Sequence, residues 1–192
     1  CDKTLDAYLK ENNIPGVYDV DTREITKIIR ESGVMNAMIC SDPRDFDDEK
    51  VKAYQVKKAV ESVSCEKPVP LAAERPLYNV VLLDYGKKEN IARELVKRGC
   101  NVAVMPYDTK AEDVLKLDPD GIMLSNGPGD PAENGQCIEE LKKLIGKKPI
   151  FGICLGHQLL ALAMGAETEK LKYGHRGVNQ PVKNLETGRT YI

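Results

Sequence analysis

A chain of 192 residues is long for one domain and short for two large ones. With 28 Lys and Arg against 30 Asp and Glu, its net charge of −2 calls for neither nucleic acid nor an anionic membrane surface as a partner. No apolar run approaches the length of a bilayer span, and the six cysteines form no Cys-x-x-Cys pair and no Cys/His cluster of zinc-ligand spacing, which favours a reduced, cytoplasmic protein without a metal.

The chain opens on Cys1 instead of Met and closes on 188–192, which reads as a strand just beginning, so both ends are expected to be cut. Thr4 to Asn12 reads as a helix, capped by Thr4 with Leu5, Tyr8 and Leu9 on one face. Gly16 to Val20 reads as a short strand. Asp21 or Thr22 caps the next helix, whose stripe is Ile25, Ile28 and Ile29 and whose stop is Gly33. Val34 to Cys40 is a further strand candidate, and Asp47 to Ser62 a charged amphipathic helix. Residues 1–65 thus form part of a small α+β domain, too small to be more than marginal alone. Pro68, Pro70 and Pro76 make 66–78 an extended connector and the domain boundary.

From Asn79 the pattern alternates. The expected strands are Val80–Asp84, Asn101–Pro106, Gly121–Ser125 and Pro149–Ile153, and the helices between them are 88–97, 109–117 and 135–145. Thr109-Lys-Ala-Glu112 has the form of a capping box. This order predicts an α/β domain over 79–192 with a doubly wound, mostly parallel sheet, whose ligands bind at the carboxyl ends of the strands.

At one such end lies Gly152-Ile-Cys154-Leu-Gly156, which has the spacing of a nucleophile elbow with Cys as nucleophile. A sharp strand-to-helix turn crowds the backbone, hence the glycines, and it sets the sulfur at a helix N-terminus, where a thiolate is favoured. The same N–H groups offer half an oxyanion hole. Cys40, Cys100 and Cys137, each among apolar neighbours, read as inert buried thiols. The turn 125–131, rich in Gly and Pro, is an ordinary tight turn taken alone. Beside the elbow it gains a use as pocket wall and second oxyanion donor.

Gly152-Ile-Cys-Leu-Gly-His-Gln158 after a strand, with Leu124-Ser-Asn-Gly-Pro-Gly-Asp-Pro131 ahead of it, resembles the class I glutamine amidotransferases. Asp19-Val-Asp-Thr-Arg23, Asp84-Tyr-Gly-Lys-Lys-Glu-Asn-Ile91 and Gly174-His-Arg-Gly-Val-Asn-Gln-Pro181 resemble, among these, the small glutamine-hydrolysing subunits of carbamoyl phosphate synthetases. The resemblance covers essentially the whole chain. It implies that Cys154 attacks the side-chain amide of glutamine and that water hydrolyses the resulting thioester. It implies Leu155 and Gly127 as oxyanion donors, and Gly129 and Gln158 as groups holding glutamine. It implies a heterodimer with a large subunit that uses ATP and Mg to make carbamoyl phosphate from the ammonia, for arginine or pyrimidine synthesis, with no cofactor in the small subunit.

The family takes its base and orienting carboxylate from a downstream His-Pro-Glu triplet, which this sequence lacks; its histidines are His157 and His175. His157 is read as packing against a neighbouring loop and His175 as structural or at an interface. Lys170, Lys172 and Arg176 form a solvated basic face or a share of a subunit contact. The 192 residues alone are therefore expected to be inactive on glutamine. The competing readings are another cysteine-dependent amidotransferase or hydrolase, and a non-catalytic docking module.

Overall fold

The computed structural model describes residues 3–172 and 179–192. The chain divides into two compact units, Gln55–Glu169 and Cys1–Tyr54 with Lys170–Ile192. This division falls ahead of the proline-rich stretch 66–78.

In the first 54 residues, α1 (Leu5–Glu11) starts at Thr4, whose side chain accepts the Ala7 N–H at 3.2 Å. Helix α2 (Thr22–Ser32) is capped by Asp21 through the Glu24 N–H at 2.9 Å and ends at Gly33 with φ 85°. Helix α3 covers only Asp48–Ala53, far short of the expected 47–62. The Asn36 carboxamide closes it by donating to the Val51 and Tyr54 carbonyls at 2.9 Å each. Further on, Ala59 and Val60 are buried, and Val60 belongs to the core of the sheet unit, which a continuous helix to Ser62 would not serve. The expected strands at 16–20 and 34–40 are not formed. No described strand pairs with either, and Asp19 at φ 57° breaks the first. Cys40, expected inside that second strand, is half-buried in irregular chain.

The unit Gln55–Glu169 holds a five-stranded sheet. The proline-rich stretch contributes its edge strand β1 (Val69–Leu71), antiparallel to β3. Pro70 suits an edge, where one side of the ladder needs no N–H. Strands β2 (Tyr78–Asp84), β3 (Cys100–Pro106), β4 (Gly121–Leu124) and β5 (Ile150–Gly152) run parallel in the order β1-β3-β2-β4-β5. The helices between and after them are α4 (Glu89–Lys97), α5 (Ala111–Lys116), α6 (Gly135–Leu144) and α7 (Leu155–Ala163).

Alternation along the strands feeds two cores, as a doubly wound sheet requires. Val81, Leu83, Ile122 and Leu124 meet Val114, Leu141, Leu144 and Leu159 on one face. Leu82, Val104 and Met123 meet Ala92 and, from the same helix, Ile91 and Leu95 on the other.

The capping box at Thr109 does not form. Its hydroxyl donates to the Pro106 carbonyl at 2.7 Å, and α5 has no cap from its own side chains. Glu140 of α6, buried, accepts the Ala111 N–H at 2.9 Å instead, so a neighbouring helix supplies the cap. Residues 182–183 and 190–191, in the other unit, form the hairpin strands β6 and β7.

Candidate active site

The loops that follow β2, β4 and β5 lie at the carboxyl ends of adjacent parallel strands, the usual place for a ligand on such a sheet. After β5 the Ile153 N–H donates to the Leu124 carbonyl at 3.0 Å, extending the ladder by one bond. The chain then reverses at Cys154, with φ 51° and ψ −112°, and α7 begins at Leu155. A side-chain-bearing residue adopts this region only when its surroundings impose it.

Two close approaches impose it. A Cβ on Gly156 would lie 2.6 Å from both the carbonyl oxygen and the Cβ of Leu124. A Cβ on Gly152 would lie 2.6 Å from the His157 nitrogen. The first turn of α7 is thus pressed onto the ends of β4 and β5. Cys154 is left exposed while Leu155 beside it is 1% exposed. The Gly156 N–H is shared by the Ser125 and Ile153 carbonyls at 3.1 and 3.0 Å. The Leu155 N–H, first of the helix, has no intrahelical acceptor and lies at the positive end of the macrodipole. Two other cysteines, Cys137 on α6 and Cys65 ahead of β1, sit where burial disfavours the thiolate. Burial, reinforced by Asp108, pushes the Cys137 thiol up to about 11, and burial followed by Asp84 raises that of Cys65.

The turn after β4 is tied to the turn after β2. The Asn126 carboxamide accepts from the Lys88 N–H and donates to the Gly86 carbonyl, each at 3.0 Å. The Ser125 hydroxyl accepts from the Tyr85 N–H at 2.9 Å. Gly127 then presses against the Tyr85 carbonyl so closely that a Cβ would overlap it, and that Cβ would also sit 2.6 Å from Leu155 Cδ2. The backbone of Gly127 and the start of α7 are therefore direct neighbours. At the end of β2, the buried Asp84 carboxylate accepts the N–H groups of Cys65, Gly86 and Lys87 at 3.1, 3.0 and 2.8 Å and holds the β2 turn in shape.

The structure places Cys154, Leu155 and Gly127 at one corner of the sheet. Gly129, at φ 87°, is exposed in the same turn. Gln158 is exposed on α7, and its N–H donates to the Cys154 carbonyl at 3.0 Å. His157 is exposed, so the expected packing against a neighbouring loop is not found; the first turn of α7 sends it outward. Lys170 and Lys172 are exposed, while His175 and Arg176 lie outside the described residues. Among the described residues, no group of three or more His, Cys, Asp or Glu is placed to hold a metal, and no helix is long and apolar enough to cross a membrane. Ser125, Asn126 and Asp84 were not singled out from sequence. Short polar side chains ahead of a Gly-Pro-Gly turn are the signal that could have found the first two, since such groups bond to nearby backbone.

A family model described as glutamine amidotransferase class-I matches residues 81–192. The chain belongs to the class I glutamine amidotransferase family. The amidotransferase match takes in the elbow, the 125–131 turn and the β2 turn together. A second model, the CPSase domain of the carbamoyl-phosphate synthase small chain, matches residues 1–39. The carbamoyl phosphate synthase small chain of Clostridium perfringens is 49% identical over 194 residues, covering 100% of this chain and 55% of that protein. That of Bacillus cereus is 52% identical over 191 residues, covering 98% and 52% respectively. That of Oceanobacillus iheyensis is 46% identical, covering 100% and 52%. The chain thus spans about half the length of the curated relatives it matches.

Proposed function

We propose that this chain is the glutamine-hydrolysing portion of a carbamoyl phosphate synthase small subunit. The observation that carries the reading is Cys154, exposed and held at φ 51° at the head of α7, with the Gly127 backbone packed on Leu155 beside it. The relatives, at about half identity across the chain, support the choice of synthase.

In this reading the Cys154 thiolate adds to the side-chain amide carbon of glutamine. A C–S bond forms and the π pair moves to oxygen, where the Leu155 and Gly127 N–H groups stabilise it. The pair returns, the C–N bond breaks, and the nitrogen leaves as ammonia after taking a proton. Water then adds to the γ-glutamyl thioester, glutamate leaves, and the thiol is restored. Gly129 and Gln158 hold the glutamine. The proton carrier is the His-Pro-Glu base of the family, which residues 1–192 do not contain. The ammonia passes to a large ATP-using partner in a cytoplasmic heterodimer.

Ammonia release from glutamine, measured with the synthetase partner added and with a Cys154→Ser control, tests this. Residues 1–192 alone are expected to give no Cys154-dependent release, and the full-length protein to give it. Full-length protein with no Cys154-dependent release would overturn the reading. Release by residues 1–192 would overturn the assignment of the base and turn attention to His157 and His175.

A further inference from the structure

Ser125, at the carboxyl end of β4, is fully buried and uses every polar atom it has. Its N–H donates to the Leu83 carbonyl at 3.2 Å and its carbonyl accepts from Gly156 at 3.1 Å. Its hydroxyl accepts from the Tyr85 N–H at 2.9 Å and donates to the Asn126 carbonyl at 2.8 Å.

The last of these bonds carries the argument. The Asn126 carbonyl and the Gly127 N–H belong to one peptide unit. In a planar trans peptide they point in opposite directions, and no cis bond occurs among the described residues. Fixing the carbonyl therefore fixes the direction of the N–H. Glycine at 127 leaves this peptide unusually free to turn over. The Asn126 side chain anchors its own residue to Gly86 and Lys88, but it does not hold the following peptide plane. Among the described residues, the hydrogen bond to that plane comes from the Ser125 hydroxyl. A turned peptide would present a carbonyl oxygen, with its negative end, where an oxyanion needs a donor.

We infer that Ser125 is a positioning residue that sets the Gly127 N–H as an oxyanion donor by holding the Asn126 carbonyl on the opposite side of the same peptide. This rests on the reading in which Gly127 stabilises the tetrahedral intermediate of glutamine hydrolysis. It differs from that reading in assigning a task to a side chain that touches neither substrate nor nucleophile.

The test uses the full-length protein assembled with its synthetase partner, comparing wild type, Ser125→Ala and Ser125→Cys. Four quantities are read: kcat and KM for glutamine, the rate of iodoacetamide alkylation at Cys154, and the affinity for the aldehyde analogue of glutamine. Iodoacetamide reacts by displacement at a saturated carbon and makes no oxyanion. The aldehyde adds the thiol and places an oxygen in the hole. Ser125→Ala is expected to lower kcat about 10- to 100-fold, less than outright deletion of a donor, with KM and alkylation unchanged. Aldehyde affinity should fall by a similar factor. Ser125→Cys keeps the shape with a weaker donor and should fall between, which decides the matter if the alanine variant does not fold. An unchanged kcat in both variants, or a loss of kcat matched by an equal loss of alkylation, would overturn the inference. Wild type without Cys154-dependent release would remove the functional reading and the inference with it, whereas active wild type beside a fully active Ser125→Ala removes the inference alone.

Discussion

The Gly156 N–H meets the Ser125 carbonyl at 3.1 Å, and through this bond the first turn of α7 is joined to the strand that leads into the glycine turn. The Cys154 turn and the 125–131 turn are therefore tied to each other directly. Packing agrees: Gly156 leaves no room for a Cβ against Leu124, and Gly127 leaves none against Tyr85 and Leu155.

Substituting Gly156→Ala should therefore cost about 1–3 kcal/mol of stability by overpacking, because the obstructing atoms at 2.6 Å are backbone and Cβ and cannot swing aside. Gly135→Ala is the control. Nothing lies within 4 Å of its Cβ position, and the residue is already helical, so the change should be neutral or stabilising by up to about 1 kcal/mol. Urea melts of the two variants against wild type check both signs.

Cys154 carries a side chain at a backbone conformation suited to glycine. Cys154→Gly should release about 1–3 kcal/mol of strain while removing the exposed thiol. A higher melting midpoint with abolished alkylation is the expected result. A lower midpoint would mean that the exposed thiol makes contacts worth more than the strain.

Thiol reactivity should be uneven. At neutral pH, Cys137, buried and pushed up to about 11, remains a thiol, and Cys100 is shielded. Cys154 is exposed at a helix N-terminus. Timed iodoacetamide labelling with peptide mass analysis should find Cys154 modified first. Equal rates at Cys154 and an exposed model thiol would remove the argument from the helix end.

Acid should loosen α5 before it unfolds the sheet. The Ala111 N–H, then Lys143, hold the Glu140 carboxyl below its usual range. A depressed folded value means the stabilisation is present above the unfolded value, about 4.3, and is lost as pH falls through the folded one. Amide exchange at Ala111 should therefore accelerate below about pH 4 relative to amides inside β2, and Glu140→Gln should show weakened protection already at neutral pH.

The apolar runs 80–84, 101–106 and 121–125 could be read as strands because burial against the layers on either side leaves few polar residues in them, whereas 149–153, equally apolar, forms the edge strand β5 with Phe151 exposed. The elbow was legible because Gly152, Cys154 and Gly156 fall at fixed spacing within ten residues of one another. What escaped were choices settled by distant partners. The start of α5, which Thr109 was expected to cap, is capped by Glu140, which accepts the N–H of Ala111 from 29 residues away in the chain. The helix expected through Ser62 is closed by Asn36, which precedes Val51 by 15 residues. The extended segments at 16–20 and 34–40 had the composition of strands, but among the described residues no strand offers them a ladder. Ser125 read as the last residue of a strand, and only Tyr85, 40 residues away in the chain, reveals that its hydroxyl links the Tyr85 N–H to the Asn126 carbonyl.

The absence of room at 127, 152 and 156 also bears on how such a pattern behaves through descent. These glycines answer to the mutual fit of a helix, a strand and a turn, and that fit does not depend on what residue 154 is. A lineage that lost the thiol would remain under the same steric constraint and would go on displaying the glycine spacing. The spacing therefore records architecture, and the residue at 154 must be read separately before any relative bearing the pattern is credited with chemistry.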